Sequence, residues 1–443
     1  MSLAAETVST AAPGQAAVSA RLAGASFVTQ AGWLAGGNLM ASGLLMAAGF
    51  LTAKAVEPAV LGLFNSMGLV QGYLPWLTMG VMNGVNRELP YYYGRGDQAR
   101  MRELAAAGQA WAFLLATVTA SGLMGIAAWQ AAQGRWELAA GWVAQAISVW
   151  VLFAGGLYLQ ATFRTTGDFQ RLALVNVVVN ALNLVLVIAV WAFSFYGLCL
   201  RALAIALVQL ALLWFWRPIK VASRWQSASL GHLLRVGAPI MLVGQLYAWW
   251  MVLDATLVLQ YVGTAGLGLY ALVVMAASTL QILPDAVGQV IYPRMALQYG
   301  RTGRMRDLVR SSLRPVLWLT LGMVVLTVLG WVLAQPLVRA LLPKYTGATV
   351  AIQWGLLTPA LLALSPLNNI FNVIKRQDLY LVAMVVGMLS YYGGVRYLMA
   401  RGLELAVFPQ AMAGGRLVFL VVAFALLGWL VRKERKADRK SVV

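Results

Sequence analysis

The chain has 443 residues, of which 61% are hydrophobic and only 11% charged. Soluble globular domains run near 45–50% apolar and about 25% charged, so a water-soluble monomer is excluded and a bilayer is the natural solvent. A net charge of +19 with one cysteine and one histidine rules out an intrachain disulfide and argues against a histidine-rich metal site or a Ser-His-Asp triad.

Residues 1–26 are small and polar and lack the basic start, apolar core and cleavage site of a secretory signal. They read as a disordered cytoplasmic tail. A membrane helix needs roughly 20 mostly apolar residues. Such runs fall at about 27–53, 60–86, 104–130, 138–162, 172–195, 197–216, 237–262, 265–292, 313–341, 348–374, 379–399 and 402–431. The fold class is therefore all-α and integral to the membrane, with about twelve spans. A spanning barrel would alternate in polarity over strands of about 10 residues, and "VNVVVNALNLVLVIAVWAF" (175–193) does not.

Lys and Arg collect on the cytoplasmic side of membrane proteins. With the N-terminus inside, 25 of the 33 fall in inside segments and seven outside, the seven including Arg201; Arg416 lies within a span. Both termini are thus read as cytoplasmic, and the charge as topology rather than nucleic-acid binding. The tail over 432–443 is basic. The lone His232 reads as an ordinary solvated side chain in a basic loop.

The chain repeats itself. "LGLF" (61–64) recurs as "LGLY" (267–270), and Tyr93-Gly94-Arg95 recurs as Tyr299-Gly300-Arg301, both at an offset of 206. Met101-Arg102-Glu103-Leu104 recurs as Met305-Arg306-Asp307-Leu308, two residues short of that offset. Two six-helix bundles follow, 27–216 and 237–431, joined by a basic cytoplasmic linker over 217–236. Each holds an even number of spans, so a pseudo-two-fold axis runs along the membrane normal and the cleft between the bundles suits alternating access. Pro75 and Pro284 interrupt spans two and eight. Paired interruptions point toward a binding site, and simple helix kinks are the other reading.

A charge at mid-bilayer costs about 2.5–3.5 kcal/mol on insertion scales and faces a cavity or a partner. Arg416, after Gly414 and Gly415, either attracts an anionic headgroup in the cleft or forms a buried pair with Asp254 or Asp285. Asp254 and Asp285 are candidates for proton-linked ion coupling or for structural helix packing. Arg164 and Arg87, at the inner ends of spans four and two, either extend a basic path for substrate or mark the cytoplasmic side. Tyr247, Trp249, Trp250 and Tyr270 either line a sugar path or form an interface belt. No catalytic residue and no metal ligand set is predicted.

The motifs "NRELPYYYGRGD", "FRTTGDFQRLALVNVVVNALNLVL", "ILPDAVGQVIYPRMALQYG" and "LLPKYTGA", with the Asp of span seven followed by "LGLYAL", resemble the polysaccharide-transport branch of the multidrug/oligosaccharidyl-lipid/polysaccharide exporter superfamily. O-antigen and capsule flippases belong there. The resemblance covers about 27–431. It implies twelve helices in two bundles and a cationic central cavity, for which Arg416 is the best-placed candidate. It implies a substrate of undecaprenyl-pyrophosphate-linked oligosaccharide moved across the bacterial inner membrane. It also implies membrane lipids, a polysaccharide polymerase and chain-length proteins as partners, and no cofactor or nucleic acid. A drug or cation antiporter of the same superfamily is the alternative, but it calls for deep acidic residues in the first half, where spans one to six have none. A membrane glycan enzyme would need a sizeable outside loop or paired carboxylates.

Overall fold

The computed structural model describes residues 27–302, 304–374, 376–402 and 405–440. The predicted tail over 1–26 lies outside them. Among the described residues every regular element is helical. The first half comprises α1 (Phe27–Ala55), α2 (Pro58–Gly68), α3 (Val70–Tyr73), α4 (Val81–Gly94), α5 (Gln98–Ala132), α6 (Trp136–Val151), α7 (Gln160–Thr166), α8 (Phe169–Val185) and α9 (Val187–Trp216). The second comprises α10 (Ser227–Thr302), α11 (Met305–Leu341), α12 (Thr349–Gly355), α13 (Leu357–Leu362), α14 (Asn369–Val373), α15 (Gln377–Met399) and α16 (Val407–Lys440).

Among the described residues seven helices are each long and apolar enough to cross a bilayer, and eight when a bent pair counts as one span. The other passes are hidden by interruptions and by one hairpin. α10 is continuous except at Gly263, with φ 83° and ψ −172°. The hydroxyl of Tyr270 donates to Asp254, sixteen residues earlier, at 2.5 Å. A straight helix would separate them by about 24 Å, so the chain reverses at Gly263 and α10 crosses twice. Ser194, at φ 48° and ψ −116°, makes the corresponding break in α9. Counted this way the passes follow the predicted order, in two six-helix bundles.

The lipid shapes the outer surface. On α11, Trp318, Leu321, Val325, Val328 and Val332 repeat at helical spacing and each is more than half exposed. Such an apolar stripe is stable only where hydrocarbon covers it.

The two halves of the repeat meet each other. A β-carbon on Gly62 would run into the carbonyl of Thr264, and one on Gly268 into the carbonyl of Pro58. Gly62 and Gly268 are the same position of "LGLF" and "LGLY". Only glycine lets the two helices cross backbone to backbone here. This crossing seals the end of the cleft at which α2 and the second leg of α10 begin.

The seam between α2–α4 and the first leg of α10 is tight along its length. Gly72 abuts Val252, Gly80 abuts Ala238 and Gly84 abuts the Leu233 backbone. The Tyr73 hydroxyl shares a hydrogen bond of 2.5 Å with Thr256, and Trp76 packs on Trp249 at 5.4 Å. α10 starts ten residues before the predicted end of the linker. Its Leu230 and Leu233 are buried against Val85 and Leu89 of the first half, which is why that stretch is helical rather than a loop.

Span interruptions fall where the proline reading did and did not place them. Pro75 opens a 3-10 turn, Leu74–Thr78, that ends in Met79 (φ 51°) and Gly80 (φ 93°). Pro284 is buried inside unbroken helix. The second-half break comes instead in span ten, where Pro343–Leu362 and Ser365–Val373 bend by 42°. Its counterpart in span four is the π-helical stretch Leu152–Leu159, "LFAGGLYL". Wide or broken turns of this kind mark functional sites more often than chance.

Candidate functional site

A cavity of 720 Å³ lies between the bundles. Its walls come from α1, α2, α3, α6, α9 and both legs of α10. Their apolar faces, among them Leu45, Phe64 and Met275, make most of the lining. Polar groups interrupt it at Asn65, Gln71, Gln145, Ser148, Arg201 and Thr279. The Gln71 amide donates to Gln145 at 2.6 Å, which fixes both side chains.

Arg201 is the one formally charged side chain among the described residues lining this cavity, and no carboxylate joins it. The sequence reading had placed Arg201 outside the membrane. The structure puts it seven residues past the Ser194 break, inside span six and half-buried. Nη1 donates to the hydroxyl of Thr52, and that hydroxyl donates onward to the Ala48 carbonyl at 2.6 Å. A guanidinium carries five N–H donors, so one anchored contact leaves most of the fork for a ligand. Its distance from Ser194 was the available signal: a cation two turns into an apolar helix is not a loop residue.

Arg416 does not line the central cavity. It is 1% exposed and sits in the second bundle, 3.8 Å over the Trp250 ring and 5.0 Å from that of Tyr247. Nη2 lies 3.3 Å from the sulfur of Met251, and Nε has no partner among the described residues. No ion pair within 4.0 Å joins it to Asp254 or Asp285 among the described residues. Aromatic faces stabilise a desolvated cation, so Trp250 and Tyr247 hold the charge at contact distance while Asp254 acts on it from beyond ion-pair range.

Asp254 is buried and accepts from Tyr270 at 2.5 Å and Tyr391 at 2.7 Å, one hydroxyl on each oxygen. It ties the two legs of α10 to α15. Asp285 is exposed on the second leg of α10 and lines a separate cavity of 400 Å³ beside the break in span ten. Arg164 bridges α7 to α4, donating to Asn86 at 3.3 Å and to Gln160 at 3.0 Å. Arg87 has a side chain 62% exposed, 3.9 Å from Glu88. Of the four aromatics, Trp250 is buried, Trp249 packs at a tilt against Trp76, and Tyr270 reaches the central cavity.

His232 is not a solvated loop side chain. It lies in the first turns of α10 and meets Glu88 of α4 at 2.8 Å. Nearby, Ser229 donates to Glu103 at 2.5 Å and Arg100 pairs with Glu103 at 2.7 Å. These contacts fasten the N-terminal end of α10 to the first half.

Residues 143–346 match a family described as "Polysaccharide biosynthesis protein". No curated protein matches the chain. Among solved structures, it resembles a multidrug resistance MATE family transporter of the MOP superfamily in its inward-facing conformation. That likeness has a TM-score of 0.69 at 16% identity, over 89% of this chain and 96% of that one. An outward-facing MATE family transporter of the superfamily matches with a TM-score of 0.58 at 16% identity, over 91% and 97% of the two chains. A MOP superfamily transporter from Pyrococcus furiosus, distinguished by the reverse polarity of its binding pocket, matches with a TM-score of 0.60 at 17% identity, over 90% and 94%. At these identities the likeness is one of fold. The family match agrees with the resemblance to polysaccharide-biosynthesis proteins, and the chain is a multi-pass membrane protein with the fold of these transporters.

Proposed function

We propose that this chain flips undecaprenyl-pyrophosphate-linked oligosaccharide across the bacterial inner membrane, from cytoplasmic to outer leaflet, for surface polysaccharide biosynthesis. Both termini are cytoplasmic in this reading, and no chemistry is performed on the substrate. The observation that carries it is the charge of the central cavity: one guanidinium and no carboxylate among the described lining residues.

A pyrophosphate entering an apolar cleft loses hydration and needs a fixed cation. Arg201 supplies one whose planar fork matches phosphate oxygens. The lipid tail stays in the bilayer while the headgroup crosses. The Gly62–Gly268 crossing closes the outer end, so the cavity takes its load from inside when the α4–α10 seam parts. Parting that crossing while the inner seam of α4 and α10 stays fastened would turn the cavity outward. A drug or cation antiporter would need a carboxylate where this cavity has none.

The test is made in cells that depend on this chain for surface glycan. Arg201→Gln should abolish the glycan at unchanged protein level, and Arg201→Lys should restore part of it. Full glycan with Arg201→Gln would remove the anion-binding role and with it the main support for this reading.

A further inference from the structure

The second cavity, of 400 Å³, lies between the second leg of α10 and the broken span ten. Its lining includes Gln281, Asp285, Gly288, Tyr292, Ser365 and Asn369. Five of these carry hydrogen-bonding side chains, a far more polar wall than that of the central cavity. The break makes this wall. Pro366 opens the 3-10 turn Ser365–Asn368, and the 42° bend turns Ser365 and Asn369 toward α10. On the facing helix Gly288 points at this wall: a β-carbon there would stand in ordinary contact, 3.9 Å from both the Asn369 amide nitrogen and Pro366, and a longer side chain would extend into the cavity.

The polar groups here have unused capacity. Asp285 takes one hydrogen bond, from Gln281 at 3.1 Å onto Oδ1, and its other oxygen is without a partner among the described residues. The cavity adjoins the central one along a single helix. Ser278, Thr279 and Ile282 face the central cavity, while Gln281, Asp285 and Gly288 face this one. From Met275, which faces the central cavity with Arg201, to Asp285 is about 15 Å along the helix.

We propose that this alcove is a saccharide subsite, in which Asp285, Gln281, Ser365 and Asn369 bind sugar hydroxyls and Tyr292 offers a ring face. The proposal rests on the reading above: the phosphates sit at Arg201 and the sugars reach inward along α10. A carboxylate accepts from vicinal hydroxyls and repels a carboxylated sugar, so the subsite takes neutral or amino sugars and disfavours uronic acids.

Three probes test it on purified full-length protein in nanodiscs: a polyprenyl pyrophosphate, the same lipid bearing a neutral disaccharide, and the same lipid bearing a uronate disaccharide. The wild type should bind the neutral glycolipid at least fivefold more tightly than the uronate one. Asp285→Asn should erase that preference, and Gly288→Leu, which fills the alcove, should weaken both glycolipids at least fivefold while leaving the sugar-free lipid unchanged. Arg201→Gln should weaken all three. If Asp285→Asn and Gly288→Leu leave both glycolipids unaffected, or weaken the sugar-free lipid equally, the subsite is overturned while the transport reading stands on the Arg201 result. If the wild type binds none of the probes, the transport reading and the alcove fall together.

Discussion

Asp254 and Arg416 show how a bilayer-embedded charge can be held at contact distance by hydroxyls and aromatic rings, with no direct ion pair among the described residues. Asp254 has a tyrosine hydroxyl on each oxygen. Removing the carboxylate strands two buried hydroxyls, at about 1–3 kcal/mol each. Asp254→Ala should therefore lower the thermal unfolding midpoint of the detergent-purified protein markedly, and Asp254→Asn much less, because an amide can still accept from one tyrosine and donate to the other. An Asp254→Ala protein with wild-type stability and no transport would instead assign Asp254 to ion coupling. Sequence alone singled out both residues from their place in apolar runs. It could not show that aromatic rings and hydroxyls, common in any membrane helix, would be their partners. Arg201 was lost for the opposite reason: it lies in the first turns of the predicted run 197–216 and was still counted with the outside charges, so a cavity cation was read as a loop charge.

At the scale of elements, the interruptions matter more than the helices. The twelve spans were legible because hydrocarbon demands long apolar runs, and the repeat was legible because glycine is required where two backbones touch. Gly62→Val or Gly268→Val should block transport while the protein still inserts, since either side chain meets a carbonyl of the opposing helix; wild-type transport by either variant would show that the crossing need not close. The proline pattern was a poorer guide. Proline in a helix removes one hydrogen bond, and packing decides whether the helix breaks, as at Pro75, or runs on, as at Pro284. The seam between span two and α10 gives another expectation. Thr78 Oγ1 lies 3.9 Å from the sulfur of Met241. The pair Thr78→Cys and Met241→Cys should form a disulfide on oxidation that arrests transport until reduced. Transport that continues at full rate with the bond formed would mean that this seam never opens.

The whole molecule is two similar bundles whose charges are sorted by side and whose cleft carries a single guanidinium among its described lining residues. The excess of basic residues on one face orients the chain in the membrane and says nothing of substrate. What bears on substrate is the sign of the cavity, set by Arg201 and by the lack of any carboxylate among the residues that line it. That sign could not be read from composition, because a net charge of +19 is distributed mostly over loops. The most direct test is flipping of a fluorescent polyprenyl-pyrophosphate oligosaccharide in liposomes containing only this protein. The wild type should equilibrate the lipid between leaflets, Arg201→Gln should slow it more than tenfold, and Arg201→Lys should fall between. Equal rates for wild type and Arg201→Gln, or movement of organic cations in place of the anionic lipid, would contradict the account.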